Sequence, residues 1–365
     1  MANTVPDPGC QNGLPKPSRT GTATVAFETR SGSQTLNTSQ TLVHAGYDKA
    51  QGNNDLALVW LAGSAPVAAN RHALYRESDE LGQVLDLVGY GRTGTGSTGA
   101  DSSATSSPAR LHAGNQFDAD ASTLKGSLGS VMAWTPLAGS QLVADFDDGT
   151  PGRDALGRLM DRPDAGRGLD EGLIAQGDSG GPAFIGGRLA GVASYTASLA
   201  RGSIAPDVDA IGNSSFGEIG AWQRVSFYQQ WIDQSLRASY PDAPARPEDV
   251  KKEVAEGRSG TTHAYFLLQF TGVRGDPDQV LSVDYATRDG SARAGSDYIA
   301  ASGTLHLYGG ENQAVIPVEI VGDTTPEAAE SFYLDVFDPV GGSFGEGVAR
   351  LTAVRTILDD DGWLG

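Results

Sequence analysis

Gly at 49 and Pro at 18 of 365 positions cut the chain into short runs rich in Val, Leu, Ile and Tyr. Runs this short, bounded by turn-forming residues, suit antiparallel β structure and leave little room for helices. The predicted class is mostly β. Residues 22–27, 41–44, 56–61, 84–90, 141–146 and 188–195 are expected as strands. The Gly, Ser, Thr and Ala stretch at 94–109 has no apolar periodicity and is expected as a surface loop. A helix is expected over 222–236, where Trp222, Val225, Phe227, Trp231 and Leu236 can share one face. After it, 240–250 carries three prolines and no core candidates, the composition of a stiff linker. The expected organisation is therefore a domain over 1–239, a linker over 240–250 and a second domain over 251–365. In the second, Leu281, Val283 and Tyr285 face one way, as do Phe332, Leu334 and Val336. That alternation is the patterning of a β-sandwich.

The net charge of −19 and sequence pI near 4.5 disfavour nucleic acid or an anionic membrane as partner and suit a protein that holds cations. No window approaches the roughly 18–20 apolar residues of a membrane span. The opening residues Met1 to Pro8 have neither the basic nor the apolar region of a signal peptide. Cys10 is the single cysteine, so an internal disulfide is excluded and a plain thiol is expected.

The sharpest motif is Gly177-Asp178-Ser179-Gly180-Gly181-Pro182. A serine between glycines on a tight turn can expose its oxygen while nearby N–H groups converge on one point, as an oxyanion requires. The same residues also suit an ordinary glycine-rich hairpin turn. This motif resembles the nucleophile turn of chymotrypsin/trypsin-like serine proteases, and further pieces resemble that family in its own order. These are Asn54-Asp55-Leu56-Ala57-Leu58 with His44 upstream, Val88-Gly89-Tyr90-Gly91, Gly191 to Tyr195, and Arg224 to Ile232. The resemblance covers about 22–236 and implies a double β-barrel. It makes Ser179 the nucleophile, Asp55 the orienting acid, and the Gly177 and Ser179 amides the oxyanion hole. Taken alone, Asp55 could be any loop aspartate. The resemblance further implies a protein or peptide substrate and a secreted enzyme.

The family's catalytic histidine would precede Asp55 on an Ala-Ala-His segment, which this sequence does not contain. Of the five histidines, His44 belongs to the lead-in of the aspartate strand, His72 and His112 follow it out of order, and His263 and His306 lie in the second domain. A serine without a base is a weak nucleophile, so the chain as written is expected to be inactive, with an incomplete first barrel. Two accounts stand: an annotated start that omits the histidine-bearing segment, or a pseudoprotease. Leu173, six residues before Ser179, stands where basic-specific members place an acid, so cleavage after Lys or Arg is not implied. With Ser194, Tyr195 and Thr196 on its wall, the implied pocket suits a small or medium apolar side chain. Gly89-Tyr-Gly91-Arg-Thr-Gly94 also fits a dinucleotide fingerprint, but the Gly/Ser/Thr stretch after it cannot form the required helix.

Residues 251–361 resemble a Calx-beta domain, an immunoglobulin-like sandwich, through Val254-Ala-Glu256-Gly257, Val283 to Thr287, Ala294 to Tyr298, Ser302 to Leu305, Gly322-Asp323 with Glu327, and Asp359-Asp360-Asp361. The resemblance brings Glu256, Asp297, Asp323, Glu327 and Asp359 to Asp361 to one end and implies Ca2+ as their ligand. Hard oxygens in that number suit calcium, and without a cation their repulsion would raise some pKa values. Three terminal aspartates could equally be a solvated chain end. Gly322 replaces one of the paired acids of strong calcium binders, which implies a weaker or partial site. Two functions follow: a serine endopeptidase with a calcium-binding accessory domain, or a non-catalytic calcium-dependent binding or adhesion protein on a pseudoprotease scaffold.

Overall fold

The computed structural model describes residues 23–361 except 31, 104, 105, 108 and 165. The positions expected for Cys10 and the opening residues lie outside them. The chain forms two compact units. One comprises Leu42–Leu58 and His72–Ile232; the other comprises the described residues up to Thr41, Val59–Arg71 and Asp233 onward. The second unit thus takes in three stretches of the expected first domain: the described residues up to 41, then 59–71 and 233–239.

Among the described residues twelve strands precede residue 225: β1 (Thr24–Thr29), β2 (Gly32–Val43), β3 (Ala57–Leu61), β4 (Val84–Gly89), β5 (Gly94–Thr95), β6 (Gly99–Ala100), β7 (Leu111–Gln116), β8 (Ala119–Asp120), β9 (Gln141–Asp145), β10 (Pro182–Ile185), β11 (Arg188–Ala197) and β12 (Ile219–Arg224). The first three form an antiparallel-hairpin-based sheet, where the sequence predicts an incomplete first barrel. A seven-stranded sheet in the order β7-β4-β10-β11-β12-β9-β8 holds the core of the first unit. Its middle is apolar: Leu85, Phe117, Leu142 and Trp222 are fully buried. Helix α1 (Ala121–Leu128) is N-capped by Asp120, which accepts from the Ser122 and Thr123 amides. The short α2 (Ala155–Met160) is capped by Asp154, which accepts from Gly157 N at 2.6 Å.

The third helix, α3 (Val225–Ser239), begins three residues later than expected. Trp222 lies in β12 instead, opposite Ala193 on one side and Leu142 on the other. A large apolar residue just before a helix fits either pattern, and sheet pairing decided between them. After the Gly89 to Gly94 stretch comes the two-residue β5–β6 hairpin rather than a helix, which removes the dinucleotide reading.

Seven strands follow: β13 (Glu253–Ala255), β14 (Thr261–Gln269), β15 (Leu281–Asp289), β16 (Ser302–Leu307), β17 (Gln313–Val321), β18 (Glu330–Val340) and β19 (Arg350–Leu358). They form a sheet ordered β13-β19-β18-β15-β16 and a β14–β17 pair. Leu281, Val283, Phe332, Leu334 and Val336 point into a core shared with Phe266, Tyr298, Ile316 and Ile320, as the alternation predicts. The chain is mostly β, with a sandwich at its C-terminal end. The expected linker carries a 3₁₀ turn at Pro247–Asp249 and is held to the sandwich: Tyr265 Oη donates to Pro241 O and Gln313 Nε2 to Ala245 O.

Candidate functional site

Ser179 is exposed on a turn whose flanking glycines, Gly177 at φ 102° and Gly180 at φ 83°, use backbone that other residues rarely adopt. Gly180 N donates to Ala193 O at 2.8 Å and Gly181 N to Asp178 O at 2.8 Å, which pins the turn onto β11. Among the described residues neither the Gly177 nor the Ser179 amide meets a backbone acceptor. Asp178 is satisfied locally: its carboxylate accepts from Gly91 N at 2.6 Å and Ala175 N at 2.8 Å. A Cβ on Gly89 would stand 2.0 Å from Asp178 Oδ1, and one on Gly91 would lie 2.5 Å from the same carboxylate. The two glycines that mimic a nucleotide motif therefore make room for Asp178.

Asp55 follows Asn54, which takes φ 53° and ties its side chain to Gly46 O at 2.8 Å. Asp55 Oδ2 accepts from Ser194 Oγ at 2.7 Å, and Gln223 Nε2 donates to the same hydroxyl at 3.3 Å. Asp55, Ser194, Tyr195 and Thr196 line one cleft of about 490 Å3, walled by Tyr47 and Trp134. Tyr195 is fixed by Trp134 Nε1, which donates to its hydroxyl at 2.9 Å, and by its own bond to Gln141 Oε1 at 2.7 Å. Leu173 and Asp178 line a different cleft of about 420 Å3, with Gly89, His112 and Glu171. The residues expected to form one pocket are thus divided between two clefts, and Ser179 lines neither.

His44 is buried. Its ring packs on Tyr228 and Trp231, with centroids 5.6 and 5.0 Å away, and its Nδ1 accepts from Gly46 N at 3.1 Å. His72 is set against Phe184, with Nδ1 at 3.1 Å from Gly187 O. His112 is an exposed residue of β7.

At one end of the sandwich Glu256, Asp359 and Asp361 each offer an oxygen, all within 4.8 Å of one another. Glu256 is 5% exposed; its Oε1 and Asp361 Oδ2 are buried with no hydrogen-bond partner among the described residues. Burial, and then the charges of Asp323, Asp359, Glu327 and Asp361, push the Glu256 carboxyl up to about 7. Burial also raises Asp361, against the pull of Arg258, whose Nε lies 3.3 Å from Asp361 Oδ1. A second group joins Asp297, Glu327 and Glu330, again within 4.8 Å. Burial raises both glutamates, aided by Asp297 in each case. Asp323 holds Thr325 N at 2.6 Å and acts electrostatically on Glu256, Glu327 and Asp361. Asp360 is exposed and belongs to neither group.

Residues 259–361 match the family model described as the Calx-beta domain. Human sodium/calcium exchanger 2 is 40% identical over a 108-residue alignment that covers 26% of this chain and 12% of the exchanger. Residues 259–361 form a Calx-beta domain. An apo-form Calx CBD1 domain of known structure is 30% identical, with TM-score 0.26, covering 31% of this chain and 94% of that one. The mouse serine protease neuropsin gives 15% identity and TM-score 0.39 over 56% of this chain and 73% of its own. The chain spans only a small part of the exchangers it matches.

Two features of the Calx-beta end escaped the sequence reading. Glu330 opens β18 and completes the second acidic group, yet it lies 33 positions after Asp297 and carries no motif. At Gly322 a Cβ would lie 2.4 Å from Gly257 O and 2.8 Å from Glu256 O. The missing acid there is a matter of space: the loop bearing Glu256 packs where its side chain would start.

Proposed function

We propose that the Calx-beta end of this chain binds calcium, with Glu256, Asp359 and Asp361 as one set of ligands and Asp297, Glu327 and Glu330 as a second, and with the charge of Asp323 acting on members of both. The reading rests on the Glu256 carboxylate, which is buried against two further acids with an oxygen that no donor satisfies. Such an oxygen costs free energy unless it is protonated or meets a cation. The donors are all carboxylate oxygens, which suit a hard ion, and irregular spacing suits calcium better than magnesium. The printed names of the similar sodium/calcium exchangers agree with a calcium ligand. Thermal melts of the full chain, from chelator to millimolar calcium, test this. The melting temperature should climb, by the equivalent of about 2.7 kcal/mol when calcium is about a hundredfold above Kd. Magnesium should do less. A flat response would leave the acidic groups as a solvated end and the domain as a structural or adhesive module.

A second reading concerns Ser179, an exposed residue on a turn whose Gly177 and Ser179 amides meet no backbone acceptor among the described residues. In this reading the first unit is a serine-endopeptidase scaffold, with Ser179 as nucleophile and the Gly177 and Ser179 amides as oxyanion donors. Asp55 is supported as part of it by its bond to Ser194, on the strand after the nucleophile turn. His44, packed between aromatic rings, is not its base. The purified chain should therefore show no peptide turnover above a Ser179→Ala control. Turnover lost in both Ser179→Ala and His44→Ala would overturn that expectation and make His44 the base.

A further inference from the structure

We propose that the first unit contains a site for one hard divalent cation, calcium, built on Asp145, Asp147 and Asp154 with Asp118, Asp164 and Glu171 nearby. The first three are buried, and each offers a carboxylate oxygen within 4.8 Å of the others. Acidic neighbours alone would not carry the assignment. Asp147 does: it is 2% exposed, and both of its carboxylate oxygens are buried with no hydrogen-bond partner among the described residues. It lines, with Asp118, Asp145, Asp164 and Glu171, a cavity of about 20 Å3. A cavity needs roughly 10–15 Å3 to admit one water-sized particle, so there is space for one ion without a hydration shell.

The surroundings hold these carboxylates in place and leave their free lone pairs turned to each other. Asp145 Oδ2 accepts from Leu156 N at 2.7 Å, and Asp154 takes Gly157 N at 2.6 Å and Asp164 N at 3.1 Å. Glu171 Oε1 accepts from Asp147 N at 2.7 Å. Asn115 Nδ2 donates to Asp145 O at 2.7 Å and Gly172 O at 2.9 Å, fixing the end of β9 to the segment before the nucleophile turn. Among the described residues no Lys or Arg forms an ion pair with any of the six acids; Arg167 lines the same cavity and favours the charged form of Glu171, and Arg158 that of Asp154, but neither reaches Asp147. Buried carboxylates without a partner must be protonated or neutralised by a bound cation.

The donor set identifies the ion. There is no imidazole or thiolate in the group, which disfavours zinc and softer metals. Magnesium keeps much of its water and demands tight octahedral geometry, for which this cavity has no space. Calcium accepts irregular oxygen cages. Asp164, exposed at the rim, gives it a way in. Binding would tie 164–172 to the end of β9, and Glu171, which also lines the 420 Å3 cleft beside Asp178, would carry that restraint toward the nucleophile turn.

Calorimetric titration of the full chain with calcium chloride tests the site, run beside a chain whose Calx-beta acids are silenced by Glu256→Gln, Asp361→Asn, Asp297→Asn and Glu327→Gln. The silenced chain should still bind one calcium. Adding Asp147→Asn should remove that binding and raise the calcium-free melting temperature. If Asp147→Asn does not fold, Asp164→Asn at the exposed rim should weaken the same binding by about tenfold or more. A silenced chain that binds no calcium overturns the proposal, as does binding unchanged by either aspartate variant; in the first case the acids share protons instead. If the silenced and unaltered chains bind alike, the Calx-beta reading fails while this one stands.

Discussion

Glu80 and Glu256 are both buried glutamates, one in each unit, and their surroundings are opposite. Glu80 is completely buried, and Arg224 meets it through Nε at 3.0 Å and through Nη2, while Ser226 Oγ donates at 2.6 Å. Both oxygens are occupied by donors from β12 and the start of α3. Glu256 is almost as deeply buried, but its neighbours are acids and its Oε1 faces no donor. The first carboxylate completes a structure. The second is complete only with something added, and this difference separates a packing residue from a binding residue where burial alone does not.

The comparison breaks if the two glutamates respond alike to loss of charge. Glu80→Ala leaves the Arg224 guanidinium without its partner and should destabilise the first unit by about 3–5 kcal/mol, with or without calcium. Glu256→Gln should instead raise the melting temperature in chelator, because it removes repulsion, and should erase most of the gain from calcium. Denaturant melts in chelator and in calcium measure both. A loss of stability in Glu256→Gln under chelator would place it in the same class as Glu80.

A pH series sharpens the contrast with a smaller effect. Glu256 is pushed from its ordinary 4.5 up to about 7 in the fold. Across that window the folded chain holds a proton that the unfolded chain has released. Calcium-free stability should therefore fall as pH rises from about 4.5 to about 7, by no more than about 1.4 kcal/mol per pH unit for this one group. Below the window the contribution is constant. The difference between the unaltered chain and Glu256→Gln isolates it from the other raised acids, and equal slopes in the two would refute it.

What could be seen in the sequence depended on how local its cause was. Strand alternation in Leu281, Val283, Phe332 and Leu334 shows directly in the order of residues, and so does the glycine-flanked turn at Ser179. Trp222 was misplaced because an apolar residue between a strand and a helix suits both. The role of Gly89 and Gly91 as space for Asp178 requires a close approach across 87 residues, and no local pattern encodes it. The buried acids at 145, 147 and 154 pass for loop aspartates in sequence. Asp145 ends β9, Asp154 caps a short helix, and only the fold turns both toward Asp147. Glu330 was missed for the same reason.

Asp360 is the smallest and sharpest test of this view of the acidic ends. By sequence it belongs to a run of three aspartates that the Calx-beta resemblance assigns to calcium, and neutralising it should then blunt the calcium response. In the fold it is exposed, while Asp359 and Asp361 on either side join Glu256. Its charge reaches Asp361 as that of a chain neighbour, behind the larger effects of burial and Arg258. An exposed charge in water contributes little to a site it does not touch, and surface substitutions of this kind usually change stability by less than about 0.5 kcal/mol. Asp360→Asn should therefore leave the calcium-induced rise in melting temperature close to that of the unaltered chain, while Asp361→Asn removes most of it. Equal losses in the two variants would mean that Asp360 turns inward when calcium binds, and the ligand set at this end would then follow the run of aspartates rather than the buried oxygens.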